Sequence, residues 1–155
     1  MELPYCVFDV SSQTGKFVLS ITSVDMGAHE TLERGGLTAD FNAKIEVKGI
    51  TADIKCWLTI GNLYSFYSEL QNCYSTLVGT AVLRYYSEDL TNISVDFSRT
   101  GLCEIYGVVK DSAYSKNGVM FGVECDQTYI TPNIKKLKML FDELAIVQGF
   151  FDFQY

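Results

Sequence analysis

The sequence predicts an α+β domain: one large, curved antiparallel sheet of about eight strands with two helices packed on one face, in the order ββββα-ββββα. Three observations lead there. Apolar and polar residues alternate without a break over residues 38–48, the period of a half-buried strand. Residues 59–78 and 131–148 instead repeat their apolar positions at steps of three and four, the period of a helix lying on a surface. The remaining strand-like segments are joined by turns too short for the crossovers that parallel pairing requires.

Size and composition agree with that class. A chain of 155 residues makes one domain, 1–155, able to bury roughly 70% of its unfolded surface. Hydrophobic residues make up 48% and charged residues 20%, and no apolar run approaches the roughly 20 residues of a membrane span. The first residues, MELPYCVFDV, carry an acid and lack the basic segment and small-residue site of a secretory leader, so a cytosolic protein is expected. A net charge of −7 disfavours nucleic acid and anionic membrane as partners and favours a basic one. The five cysteines, Cys6, Cys56, Cys73, Cys103 and Cys125, form no C-x-x-C pair and are expected mostly as small buried hydrophobes.

Taken in order, Leu3 to Val10 and Lys16 to Val24 read as a hairpin around SSQTG, where Gly15 can turn the chain. Residues 25–36, with three glycines and mixed charge, read as a surface loop. In the strand Thr38 to Lys48, Ala39, Phe41, Ala43, Ile45 and Val47 point inward. After Gly49, Ala52, Ile54, Cys56 and Leu58 continue the inner face, and Thr51, Asp53, Lys55 and Trp57 point out. The first helix buries Leu63, Phe66, Tyr67, Leu70, Tyr74 and Leu77, with Thr59 as its cap and Gly79 as its left-handed ending. Strands then follow at Ala81 to Tyr86, Leu90 to Ser98, Leu102 to Lys110 and Val119 to Cys125. Thr131-Pro132 opens a second helix that buries Ile134, Leu137, Leu140, Phe141, Leu144 and Val147. The repeated order suggests a pseudo-repeat, 1–78 and 79–148, followed by an aromatic tail at 149–155.

No catalytic motif stands out. His29 is the single histidine and sits in a loop without a second histidine or cysteine close in sequence, so neither a zinc set nor a nucleophile–base pair forms around it. Glu88-Asp89 and Asp142-Glu143 occupy a turn and a polar helix face; Glu124 and Asp126 share one side of a strand, and Asp126 suits a backbone-capping role. Gly35-Gly36 lacks the spacing and lysine of a phosphate loop, and Lys135, Lys136 and Lys138 form a solvated helix face. No cofactor, metal or catalytic residue is therefore expected. The remaining candidate is the outward sheet face, carrying Asp40, Asp53, Trp57, Asn92, Ser94, Asp96, Ser98 and Glu104, with Tyr106 beside them. Acids around aromatic anchors suit a basic protein partner. The candidate partner-binding residues are Asp40, Asp53, Trp57, Asp96, Glu104 and Tyr106.

From the alternating strand onward the chain resembles the WapI family of bacterial immunity proteins and its small relatives. The resemblance lies in FNAKIEVKGITADIKCWLTIGNLYSFYSELQNCYSTLVGTAVL, in a later strand–Gly–strand and in the corner DQTYITPNIKKLKML. Its marks are Leu63, Phe66, Leu70, Leu77, Gly79, Asp126, Gln127, Thr128 and Tyr129. It covers roughly residues 37–144 and consists mostly of core and corner positions, which identify a fold more than a task. It implies a non-enzymatic cytosolic protein that binds and neutralises a cognate toxin domain, often a nuclease. The alternative is a small-ligand-binding or structural domain with a groove between helices and sheet.

Overall fold

The structure, a computed structural model, describes residues 1–25, 37–84, 91–112 and 114–148, with side chains as far as Leu144. Eight strands and two helices follow one another: β1 (Tyr5–Ser11), β2 (Gly15–Asp25), β3 (Thr38–Val47), β4 (Ile50–Thr59), α1 (Ile60–Thr76), β5 (Gly79–Arg84), β6 (Asn92–Phe97), β7 (Leu102–Lys110), β8 (Gly118–Asp126) and α2 (Thr131–Gln148). The α+β class and the order ββββαββββα are as expected. The single large sheet is not: the strands form two antiparallel sheets of four, sheet A (β1-β2-β3-β4) and sheet B (β5-β6-β7-β8). The reason is α1, which lies along β5, so the first strand of the second half meets a helix rather than the last strand of the first.

Both sheets and both helices share one core. Phe121 of β8 stacks on Phe17 of β2 at 4.8 Å, Phe17 lies 6.1 Å from Phe8 of β1, and Phe8 lies 5.9 Å from Phe66 of α1. Tyr64 and Tyr67 of α1 meet Phe141 of α2 at 5.1 and 5.3 Å. Such ring pairs add about 0.5–1.5 kcal/mol each to the area they bury. Cys56, Cys73, Cys103 and Cys125 are buried and unpaired, as small hydrophobes, and Cys6 is half-buried.

An unpaired sheet edge exposes backbone donors and acceptors, so something must cover it. At β1 the cover is Asn133 of α2, which is fully buried. Its Oδ1 accepts the Asp9 N–H at 2.8 Å and its Nδ2 donates to the Asp9 carbonyl at 2.9 Å, so one amide takes the place of a neighbouring strand. The Tyr5 hydroxyl adds a bond to the Lys136 carbonyl at 2.9 Å. At β5 the cover comes from α1, where Glu69 Oε2 accepts the Val82 N–H at 2.8 Å. At β8 it is the β1–β2 turn: Thr14 Oγ1 accepts the Glu124 N–H at 2.8 Å and Ser12 Oγ donates to the Glu124 carbonyl at 2.6 Å. Each helix thus follows one sheet and closes the first strand of the other.

Thr59 caps α1 as its residue type predicts, accepting the Asn62 N–H at 3.0 Å while Asn62 Oδ1 accepts the Thr59 N–H at 3.2 Å. The other end differs from expectation. Leu77, with φ 55, takes the left-handed position, and Gly79, with φ 110, already opens β5. The helix therefore stops at Thr76, two residues before the expected ending, and the left-handed leucine costs about 1 kcal/mol. Asp25 ends β2; the rest of the loop expected at 25–36, with His29, the Glu88-Asp89 turn and the tail 149–155 lie outside the described residues.

Candidate functional site

Strand parity fixes which side chains leave the core, and the six candidate partner-binding residues all leave it, but on two sheets. Asp40, Asp53 and Trp57 stand on the outer face of sheet A. Asp96, Glu104 and Tyr106 stand on the outer face of sheet B. The one face expected from the sequence is therefore two.

On sheet A the charges alternate in sign. Lys44 pairs in register with Asp53, its Nζ 3.9 Å from Oδ2, and Lys16 stands opposite Glu46. Asp40 accepts the Ser23 hydroxyl at 2.7 Å and stands in register with Trp57, which is half-buried. The β3–β4 register runs unbroken, so Trp57 stays on the outer side.

On sheet B the acids line up instead. Thr80, Asp96, Glu104 and Glu124 follow one another in register across β5, β6, β7 and β8, putting three carboxylates on adjacent strands about 4.8 Å apart. The Thr80 hydroxyl donates to Asp96 at 2.7 Å, but among the described residues no cation pairs with any of the three. Like charges directly opposite one another destabilise a sheet, so this row carries an uncompensated negative field.

The neighbouring rows mix apolar and polar residues. Val82, Ser94, Tyr106 and Gly122 form one, and Arg84, Asn92, Val108 and Met120 the next. Gly122 has no side chain to cover the backbone, which leaves a pit beside Tyr106 and Met120. The tip of the β3–β4 hairpin, Val47 and Ile50, closes its far wall, and the resulting open cleft of about 640 Å³ is lined also by Glu104, Gly107, Val108 and Phe121. Met120 is 75% exposed and Tyr106 39%. Gly107 shapes the floor: a Cβ there would fall 2.0 Å from the Asn92 carbonyl oxygen, so β6 and β7 approach closely only because this residue is glycine. At Gly122 a Cβ would meet Glu104 Oε1 at 3.6 Å and Tyr106 Cβ at 3.9 Å, an ordinary contact, so packing does not demand a glycine there.

Burial and hydrogen bonds shift several titratable groups, the Cys103 thiol downward through its hydrogen bond with Cys125. Burial pushes the Cys56 thiol up to about 11, and a hydrogen bond with Cys103, together with burial, pushes the Cys125 thiol upward. A thiol kept protonated is a poor nucleophile. Hydrogen bonds from the Thr128 hydroxyl and the Thr128 N–H, the latter at 2.8 Å, hold the Asp126 carboxyl below the usual carboxylate range, and Asp126 serves as the cap expected of it. Among the described residues no group of His, Cys, Asp and Glu side chains is arranged to hold a metal, and no helix is long and apolar enough to cross a membrane.

Sequence reasoning placed Glu104 and Tyr106 correctly as outward residues and overlooked Met120 and Gly122. The signal was present, because an inner face of Val119, Phe121, Val123 and Cys125 sends Met120, Gly122 and Glu124 outward. The contribution of Val47 and Ile50 could not be read the same way, since it depends on how one sheet meets the other. Comparison with family models matches residues 10–145 of the 155 to the immunity protein WapI-like family, and the chain belongs to that family. No curated protein matches it.

Proposed function

We propose that the chain is a stoichiometric, non-catalytic immunity protein of the cytosol, which binds a cognate bacterial toxin domain through the outer face of sheet B. Membership of an immunity family supports the class of function. The observation that carries the choice of face is the unpaired row Asp96–Glu104–Glu124 beside exposed Tyr106 and Met120. Carboxylates without internal partners attract a cationic surface over a distance, and an aromatic anchor with an adjoining apolar cleft supplies short-range energy. A nuclease must be cationic where it holds phosphates, so a toxin of that class fits the charge pattern. Asp96, Glu104 and Tyr106 form the proposed contact, and Asp40, Asp53 and Trp57, whose face is largely charge-balanced, lie outside it.

The test is co-expression with the C-terminal domain of a large secreted protein encoded beside this one, read as restored growth and as a complex on a sizing column. Rescue and co-elution are expected. Reversing charge at Asp96 and Glu104 should weaken the complex at least tenfold with an unchanged Tm, while reversal at Asp40 and Asp53 should leave it intact. Equal effects of the two double variants would remove sheet B as the binding face.

A further inference from the structure

We infer that the cleft beside Gly122 is a receptor for one arginine side chain of the basic partner. This rests on the partner-binding reading above and names its recognition chemistry. Glu104 is the one charged side chain lining the cleft, and it stands at the end next to Gly122, between Asp96 and Glu124 in register. A cationic guest entering there meets a carboxylate that no described residue neutralises. The remaining walls, Val47, Ile50, Val108, Met120 and Phe121, are apolar and suit the methylene stem of a long side chain, and Tyr106 adds an aromatic ring to the lining, a group that attracts planar cations. A guanidinium combines these needs better than an ammonium, because it is planar, less tightly hydrated and able to address a carboxylate with two parallel N–H bonds. The glycine is the second sign of a receptor. The backbone at position 122 tolerates a Cβ in ordinary contact, yet the absence of one leaves the pit open.

Two experiments on the full chain separate this inference from the immunity reading. The first uses no toxin: N-acetyl-arginine amide is titrated into isotopically labelled protein, with the lysine and citrulline analogues alongside. Saturable shifts of the Gly107 and Gly122 amides and the Met120 methyl are expected with arginine. They should be weaker with lysine, absent with uncharged citrulline, and lost in Glu104→Gln. Equal shifts with citrulline, or none with arginine at millimolar concentration, would overturn the assignment. The second fills the cleft with Gly122→Leu, and with Gly122→Val as a smaller plug. Both should keep the wild-type Tm or raise it, abolish the arginine shifts and weaken any toxin complex at least tenfold. Toxin affinity untouched by two folded plugs would overturn the cleft as the receptor for that partner. A wild-type chain that shows the arginine shifts but binds no toxin would sink the immunity reading and leave the cleft's chemistry standing.

Discussion

Sheets A and B have the same number of strands, the same antiparallel order and a helix after each, yet their outer faces are built on different rules. Sheet A sets Lys44 against Asp53 and Lys16 against Glu46. Sheet B sets Asp96, Glu104 and Glu124 side by side and leaves Gly122 bare beside them. The first arrangement is what stability asks of a solvated sheet face; the second gives up some stability for a field and a cavity. A local rule that one half obeys and the other breaks is the reason sheet B is the face proposed above for binding.

The comparison breaks most completely if the halves are separated. Because α2 closes β1 and α1 closes β5, residues 1–78 and 79–155 expressed apart should each give the poorly dispersed amide spectrum of an unfolded chain, and mixing them should restore the native one. Independent folding of either piece would show that the exchange of helices is ornamental. Next in size is a contrast between two glycines of sheet B. Gly107→Ala drives a methyl into the Asn92 carbonyl and should cost about 3 kcal/mol or more in urea unfolding, whereas Gly122→Ala should be neutral or slightly stabilising.

A comparison of the two edge covers sharpens the picture at smaller energies. Asn133→Ala removes a fully buried amide and leaves both a donor and an acceptor of β1 without partners, and should cost about 3 kcal/mol. Glu69→Ala frees only one group, the Val82 N–H, and should cost about 1 kcal/mol. The smallest effect lies at the corner after sheet B. The Asp126 carboxyl is held below its ordinary range, so its contribution to stability is present above the unfolded value and disappears as the pH falls through the folded one. Asp126→Ala should therefore be less stable than the wild type near neutrality, with the two converging in strong acid. A gap that persisted there would assign the effect to something other than the carboxylate.

Most of the elements were legible because each carries its own period. Thr38–Val47 alternates cleanly enough to set both its faces, and Thr59 and Asp126 announce their caps by residue type. The division into two sheets was not legible, since alternation tells which side chains turn inward and says nothing about which strand lies beside which across a helix. The Leu77 ending was hidden for a related reason: Gly79 looks like the natural left-handed residue until the demands of β5 are known. At the site, parity alone gave Glu104 and Tyr106 and would have given Met120. The wall formed by Val47 and Ile50 arises from the meeting of two sheets, a contact between residues far apart in the chain that no local pattern records.

The Asn133 clasp on Asp9 also sets an order of events during synthesis. Its two partners lie 124 residues apart, so at roughly 5–20 residues per second the ribosome leaves β1 without its cover for on the order of 6–25 s. During that time the strands of residues 1–78 lack the cover that holds them folded, and the β1 edge is open to other chains. The outward lysines of sheet A and the acid at Asp9 then serve a nascent chain as much as a mature one, because charge along an uncovered sheet discourages neighbouring polypeptides from adding themselves to it.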